Sequence, residues 1–168
     1  DGSGDAEAQK KVEQVVSENQ KKDPRVRYKA LSENFGIAGN TNEALSMAEG
    51  EYLVLLDHDD TLAAQALFAC AERINKETEA GRSAEVLYSD EDKVCERRGK
   101  EFYFDPHFKP DFNPDLLRSV NYISHLSVIK KSLVDRVGMF RKEFDGSQDY
   151  DFMFRCTEQA TGICHIPQ

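Results

Sequence analysis

The sequence predicts an α/β fold, a sheet flanked by helices. Short apolar segments typical of strands alternate with longer amphipathic segments typical of helices. Two of the apolar segments run directly into acidic clusters, and ligands of α/β sheets bind just beyond the carboxyl ends of strands. The length of 168 residues, with 39% hydrophobic and 32% charged residues, suits one globular domain. We therefore expect residues 1–168 to form a single domain.

Composition excludes several classes of protein. No apolar run approaches the ~20 residues that span a bilayer, and the first residues, DGSGDAEAQKK, are too polar for a signal peptide. The net charge of -9 argues against nucleic acid as a partner, and an anionic substrate would need a metal or a local basic pocket. None of the four cysteines forms a CxxC pair, which argues against zinc. They are Cys70, Cys95, Cys156 and Cys164. Two of them, Cys70 and Cys156, lie on apolar helical faces as buried thiols do, which indicates a reducing, cytoplasmic setting.

The N-terminal part contains two predicted helices and two predicted strands. In order these are a helix over 6–21, a strand over 26–30, a helix from about residue 40 to Gly50, and a strand over 52–56. Ala8, Val12 and Val15 lie on one face of the first helix. Asn40 with Glu43 resembles a capping box for the second. The continuous apolar run 52–56 suits a buried parallel strand.

The C-terminal part predicts three helices and three strands around one long loop. In order these are a helix from 63 to about 81, a strand over 86–88, an aromatic and proline-rich loop over 102–117, a strand over 126–129, a short helix to 137, a helix from about 148, and a strand over 164–166. The last helix is expected to bury Phe152, Met153 and Cys156.

The acidic clusters 57–60 and 89–92 are the main candidates for chemistry. Asp57 and Asp59 are two residues apart, and alternate side chains of an extended chain share a side. Two carboxylates with substrate phosphates are a usual coordination for Mg²⁺ or Mn²⁺. The alternative is a solvated turn in which Asp60 or Thr61 caps the next helix.

Two family resemblances fit residues 57–61, DHDDT. The pattern DxDxT resembles the first motif of haloacid-dehalogenase-type phosphatases, which would make Asp57 a nucleophile and Asp59 an acid/base. However, that family usually begins its core domain with this strand, has glycine at position 60 and carries a later GDxxxD motif.

The other resemblance, to family 2 glycosyltransferases of the GT-A fold, extends over most of the chain. DGS at 1–3 is similar to the end of the DDGS nucleotide-binding turn, and GEYLVLLDHDD at 50–60 is similar to the strand and DxD motif. YSDEDK at 88–93 and FKPDFNPDLL at 108–117 resemble a bacterial subgroup that builds surface polysaccharides. GSQDYDFMFR at 146–155 resembles the ED motif, with Gln148 in place of glutamate, and HIP at 165–167 resembles a late strand.

The resemblance implies an inverting transferase with a nucleotide-sugar donor, a glycan or lipid-linked acceptor, and Mn²⁺ or Mg²⁺ as cofactor. By position, Asp149 would be the general base, Asp59 the main metal ligand, Asp57 a contact to the metal or the nucleotide, and His165 a third metal ligand. The remaining nucleotide-sugar contacts would be Asp1, Asn34, Gly36, Asn42, Asp90 and Glu91. For Gly36 a turn that needs a positive φ is an equal alternative.

The same resemblance describes the chain as a fragment that lacks the family's first βαβ unit and is truncated at both ends. We therefore expect an exposed apolar sheet edge at 52–56 and self-association. A non-catalytic fragment that binds a nucleotide sugar is the third alternative. The implied location is the cytoplasm, at the inner face of the membrane for the full-length parent.

Overall fold

The computed structural model describes residues 1–167, which form two compact units. The first unit holds Asp1–Glu49 and Met139–Phe152. The second holds Gly50–Gly138 and the chain from Met153 onward.

The first unit is built from helices and extended loops. Its elements are α1 (Ala6–Gln20), α2 (Gly36–Ser46), a short 3₁₀ helix (Lys142–Phe144) and the start of α6 (Gln148–Gln159). The predicted first helix is confirmed, and Asp5 caps it by accepting a hydrogen bond from the Glu7 N–H group. No residue of α1 is buried, so its predicted apolar face does not pack into a core.

Two predictions for the first unit are wrong. Residues 26–30 form no strand; their neighbour Leu31 donates a backbone hydrogen bond to the Asp1 carbonyl group. The capping box at Asn40 is also wrong, because α2 begins four residues earlier, at Gly36. The N–H group of Ala38 instead donates to the Asp145 carboxylate at 3.1 Å. A carboxylate from a distant part of the chain satisfies this helix end, which local sequence could not reveal.

A four-stranded mixed sheet is the centre of the second unit. Its order is β1 (Tyr52–Leu55), β5 (Ser127–Lys130), β2 (Val86–Ser89) and β6 (Ile163–Ile166). β5 is antiparallel to both β1 and β2, whereas β2 and β6 are parallel. The predicted strands of this unit and the mixed α/β architecture are confirmed.

The prediction that 52–56 is a buried parallel strand is wrong in two respects. β1 lies at the edge of the sheet and pairs with β5 in the antiparallel direction. Leu53 is buried, but Val54 and Leu56 are exposed. A run of apolar residues is compatible with an edge strand as well as a central one, so the run alone could not decide its neighbours.

Helices α3 (Ala66–Glu79), α4 (Pro114–Leu117), α5 (Lys131–Val137) and the later turns of α6 complete the second unit. Ala69 and Cys70 of α3 share a core cluster with sheet residues such as Leu87, Val128 and Cys164. As predicted, the helix α6 buries Phe152, Met153 and Cys156. Burial raises the pKa of the Cys156 thiol to about 12, so this thiol is unreactive at neutral pH.

The predicted loop over 102–117 is wrong, because its first part forms a β-hairpin. β3 (Glu91–Arg97) pairs with β4 (Lys100–His107) in the antiparallel direction. The connecting residues Arg98 and Gly99 have φ angles of 54° and 73°, as a two-residue hairpin turn requires. The proline and aromatic content of this segment concealed the alternation of a strand. Across residues 1–167, no helix is both long and apolar enough to cross a membrane.

Candidate active site

The carboxyl ends of β1 and β2 lie at the same edge of the sheet. Both strands are antiparallel to β5, which lies between them, so they run in the same direction. The first acidic cluster follows β1, and the second overlaps the end of β2. His125 precedes β5, whose amino end lies at this same edge. The topology therefore places His125 and both acidic clusters along one edge of the sheet.

Asp57, Asp60 and His125 form a group of three exposed side chains at this edge. The Nε2 atom of His125 lies 3.8 Å from Asp57 Oδ2, and its Nδ1 atom lies 3.7 Å from Asp60 Oδ2. One ligand atom from each residue can be chosen so that all three lie within 4.8 Å of one another. The turn is closed by the Asp60 N–H group, which donates to the Asp57 carbonyl oxygen at 3.2 Å.

The donor atoms of this group fit a divalent cation. Two carboxylates supply hard oxygen ligands, and a neutral imidazole supplies one nitrogen. The residues come from one tight turn and from the loop before β5. A single ion could bridge these two segments.

Asp59 and His165, both predicted as metal ligands, lie outside this group. The carboxylate of Asp59 is exposed and 4.0 Å from the ring of His58. The ring of His165 is buried, with Nε2 2.7 Å from Asp90 Oδ1 and Nδ1 3.7 Å from Asp111 Oδ1. Tyr88 stacks on the same ring at 5.1 Å between centroids. Both nitrogens of His165 therefore already face carboxylates within the second unit.

An ion pair between the buried Lys109 and the partly exposed Glu91 holds the backbone of His125 from both sides. The side chain of Lys109 is fully buried, and its Nζ atom donates to the carbonyl oxygens of Ser124 and His125 at 3.0 and 2.6 Å. Glu91 Oε2 lies 3.3 Å from that Nζ atom and accepts the N–H group of His125 at 3.1 Å. Burial lowers the pKa of Lys109, which the nearby Glu91 opposes. The two motifs that contain Glu91 and Lys109 thus fix the loop that carries His125.

Asp90 and Glu91 are predicted to contact the nucleotide sugar. In the structure their carboxylates contact other residues of the protein. Asp90 Oδ1 accepts the Lys109 N–H group at 2.8 Å in addition to its contact with His165. Glu91 Oε1 lies 3.1 Å from the Nδ1 atom of His107. Neither residue forms the solvated acidic turn that was the alternative, because Asp90 is almost fully buried and Glu91 belongs to the ion pair.

Asp1 anchors the loop that resembles the nucleotide-binding turn in the first unit. Its Oδ1 atom accepts hydrogen bonds from the N–H and hydroxyl groups of Ser3 at 2.9 and 2.6 Å. Its Oδ2 atom accepts the Tyr28 hydroxyl group at 3.1 Å. These contacts order residues 1–3 against the extended segment near Tyr28.

Asn34 and Gly36 organise the amino end of α2. Asn34 Oδ1 accepts the Gly36 N–H group at 2.9 Å and the side-chain amide of Asn40 at 3.0 Å. Gly36 has a φ of 80°, and a Cβ atom there would lie 2.7 Å from Asp145 Oδ2. The positive φ favours glycine, and the Asp145 carboxylate leaves no room for a Cβ atom. The alternative that Gly36 serves a turn with positive φ is therefore confirmed.

Asn42 and Asp149 complete the predicted residues of the first unit. The side-chain amide of Asn42 both donates to and accepts from the backbone of Phe140, at 2.9 Å in each case. This reciprocal pair is a structural tie between α2 and the segment before the 3₁₀ helix. Asp149 lies in the first turn of α6, and Gln148 Oε1 accepts the Gly146 N–H group at 2.7 Å. The glutamine that replaces the usual glutamate therefore shapes the turn that precedes Asp149.

A comparison with known families assigns the chain. The family described as Glycosyl transferase family 2 matches residues 1–138, which is most of the chain. The chain belongs to glycosyltransferase family 2. The resemblance drawn from the ordered motifs is confirmed, and the phosphatase alternative is wrong.

Two relatives of this chain are much longer. A protein of Sinorhizobium fredii designated y4gI is 42% identical over 164 residues, which cover 96% of this chain and 17% of that protein. The O-antigen biosynthesis protein RfbC of Myxococcus xanthus is 32% identical over 98% of this chain and 12% of its own length. The chain thus spans less than a fifth of each of these two relatives.

A solved structure shows the same fold. The crystal structure of Staphylococcus aureus TarS, residues 1–349, aligns with a TM-score of 0.67 and 21% identity. The alignment covers 90% of this chain and 44% of that one. The glycosyltransferase therefore has a GT-A-type fold, as predicted.

His125 and Lys109 are the residues of this candidate site that sequence reasoning missed. His125 lies 65 residues after Asp60 in the numbering, and no local pattern joins them. The signal that could have found it was its place directly before a strand, at the edge where the acidic clusters end. A lysine inside an aromatic, proline-rich segment carried no sign of burial. The helix-cap alternative for Asp60 is wrong, since α3 begins at Ala66 without a side-chain cap.

Proposed function

We propose that this glycosyltransferase domain transfers a sugar from a nucleotide-sugar donor to an acceptor hydroxyl group, with inversion and with the help of Mn²⁺ or Mg²⁺. The observation that carries the proposal is the group Asp57, Asp60 and His125 at the carboxyl end of β1 in a chain of this family. A bound divalent cation would supply Lewis acidity toward the diphosphate leaving group.

Three residues of the second unit would bind that cation. Asp57 and Asp60 supply negative charge from one turn, and His125 supplies a lone pair from the loop before β5. Because imidazole binds a metal only when it is neutral, binding should weaken at acidic pH. Glu91 and Lys109 keep the His125 backbone in place, so they position a ligand without contacting the donor. Asp59 is a further carboxylate of the same turn that could turn toward the phosphates.

Asp149 is the proposed general base. Inversion by a single displacement requires a group that takes the proton from the acceptor hydroxyl as the sugar is transferred. Asp149 lies in the motif GSQDYDFMFR, at the start of α6. Asp1, Asn34 and Gly36 are proposed to shape the nucleotide pocket of the first unit through the turn and helix end that they order.

The acceptor is proposed to be a hydroxyl group of a growing surface polysaccharide, on a free or lipid-linked glycan. The support is the relative named for O-antigen biosynthesis. A cytoplasmic setting is proposed because all four cysteines are free thiols.

Titration of Mn²⁺ into the chain, followed by electron paramagnetic resonance of the free ion, tests the proposed cation site. Asp60→Asn and His125→Ala should each weaken binding about tenfold or more, because each removes one ligand of three. His58→Ala is the matched control, since this histidine lies in the same turn and its side chain is fully exposed. Equal Mn²⁺ affinity in the His125→Ala and His58→Ala variants would remove His125 from the site. A loss in Asp59→Asn with none in Asp60→Asn would restore the assignment expected from sequence.

A further inference from the structure

The β3–β4 hairpin extends from the site with almost all of its side chains in solvent. Every residue of β4 is exposed, and in β3 only Glu91 and Cys95 are partly shielded. Three exposed phenylalanine and tyrosine rings lie on β4: Phe102, Tyr103 and Phe104, which are 50%, 57% and 40% exposed. Such a concentration of exposed aromatic rings is typical of an interaction surface.

The strand register separates the hairpin into two chemically different faces. Directly opposed residues of an antiparallel pair share a face. Cys95 pairs with Phe102, Lys93 with Phe104, and Arg97 with Lys100. These six residues define the basic–aromatic face.

The opposite face is acidic. Val94 pairs with Tyr103, and Glu96 pairs with Glu101. The Tyr103 hydroxyl group donates to Glu101 at 2.8 Å. The hairpin therefore segregates charge by face, within a chain whose net charge is -9.

The rings and cations of the basic–aromatic face form one continuous surface. The Arg97 guanidinium group lies 5.1 Å from the centre of the Phe102 ring, and the Phe102 and Phe104 rings stack at 6.4 Å. Lys93 is paired with Asp105. In the part of the chain that the structure describes, no carboxylate lies within ion-pair distance of Arg97, Arg98 or Lys100. The hairpin tip thus carries three uncompensated positive charges beside two stacked phenylalanine rings.

We propose that the basic–aromatic face docks on an anionic lipid bilayer. Arginine and lysine are attracted to anionic headgroups, and a phenylalanine ring has no polar group to satisfy, so it can enter the boundary of the acyl chains. From Glu91 to Arg97 the strand rises roughly 20 Å, and Glu91 contacts the backbone of His125. Docking at the tip would hold the site near the membrane surface.

Co-sedimentation with vesicles tests this proposal, which stands independently of the transfer reaction. The 168-residue chain should bind vesicles of phosphatidylcholine with about one third phosphatidylglycerol, and bind pure phosphatidylcholine vesicles far more weakly. The triple variant Arg97→Gln, Arg98→Gln, Lys100→Gln should lose about 100-fold in partitioning, since each cation near an anionic surface contributes roughly fivefold. Phe102→Ser with Phe104→Ser should also weaken binding. Tyr103→Ser is the matched control on the acidic face and should change binding less than twofold.

Three results would overturn the proposal. The first is an absence of binding to the anionic vesicles, and the second is binding that the two sets of substitutions leave unchanged. The third is binding to an acidic polysaccharide that depends on these residues, with none to vesicles, which would make the face a glycan site. Circular dichroism of each variant checks the fold, and these exposed side chains should leave it intact.

Discussion

Lys109 is a buried lysine whose ammonium group is held by two carbonyl oxygens and the Glu91 carboxylate. Burial lowers its pKa, with Glu91 opposing that effect. Its importance comes from what it positions, because the carbonyl oxygens belong to Ser124 and to His125 of the proposed metal site. A buried ion pair is not by itself a source of stability, but breaking one by removing a single partner is costly.

Lys109→Met should therefore destabilise the chain by about 1–3 kcal/mol, because two carbonyl oxygens would lose their buried donor and the partly exposed Glu91 would lose its charged partner. Lys93→Met is the matched control: its ion pair with Asp105 is exposed, and exposed pairs contribute little to stability. Urea unfolding followed by circular dichroism measures both. Similar losses in the two variants would mean that Lys109 has no special structural role.

Asp149→Asn tests the proposed general base in the whole protein that carries this chain. The variant should bind the nucleotide sugar as before and lose about 10²–10⁴-fold in transfer rate, because the substituted amide cannot take a proton. Rapid-quench assays of transfer with parallel binding measurements separate the two effects. Transfer at the unmodified rate would show that another group is the base.

At the residue scale, a single turn was enough to propose a metal site. Asp57 and its acidic neighbours follow an apolar run, and their role as ligands stays a prediction. His125 and Lys109 could not be found in this way, because the sheet brings them to the turn from distant parts of the chain. The predicted ligand His165 is buried between Asp90 and Asp111, an arrangement that depends on the pairing of β2 with β6.

The Glu85 carboxylate, directly before β2, contacts both α5 and the connection between α6 and β6. Glu85 precedes β2 and is 6% exposed, and both of its oxygens lie 3.1 Å from the Arg136 guanidinium group of α5. It also accepts the Thr161 N–H group at 2.8 Å, in the connection between α6 and β6. The bond from Arg136 is the main cause that lowers the pKa of Glu85, with help from Thr161 and against the effect of burial.

This arrangement predicts an acid-sensitive contribution to stability. A carboxylate whose pKa is lowered by folding stabilises the protein above its ordinary pKa of 4.5, and that stability is lost as the pH falls further. Glu85→Gln should cost about 1–3 kcal/mol at pH 7 and should reduce the dependence of stability on pH between 7 and 3. Glu51→Gln is the control, because Glu51 is exposed and 3.6 Å from Lys130. Parallel pH profiles of the wild type and Glu85→Gln in thermal unfolding would contradict this account.

The long helices were predicted well from the spacing of their apolar residues, but the pairing of strands was not. The helices α1, α3 and α6 follow from their apolar spacing, and β2, β5 and β6 from short apolar runs. The hairpin was missed because its turn signal, Arg98-Gly99, lies beside a segment dominated by aromatic residues and proline. The segment 26–30 alternates like a strand but forms no ladder, since strand formation depends on a partner as well as on pattern.

At the scale of the whole molecule, the order of motifs carried more information than any single motif. A DxD pair also fits a phosphatase, but the DxD, SDEDK, FKPD and QDYD segments in that order fit glycosyltransferase family 2, and the family match over residues 1–138 covers the first three of them. Topology within the second unit explains the spacing, because β1 and β2 end at one edge of the sheet. The exposed Val54 and Leu56 near the end of edge strand β1 support the expected self-association, which stays a prediction.

Calorimetric titration of the chain with nucleotide sugars, with and without Mn²⁺, tests the central claim most directly. UDP- and dTDP-sugars should be compared at neutral pH, using wild type and Asp57→Asn. We predict that at least one of these donors binds with Mn²⁺, that binding falls at least tenfold without it, and that Asp57→Asn removes the metal dependence. Binding of equal strength with and without Mn²⁺, or unchanged in Asp57→Asn, would contradict the claim that this edge of the sheet holds the donor through a divalent cation.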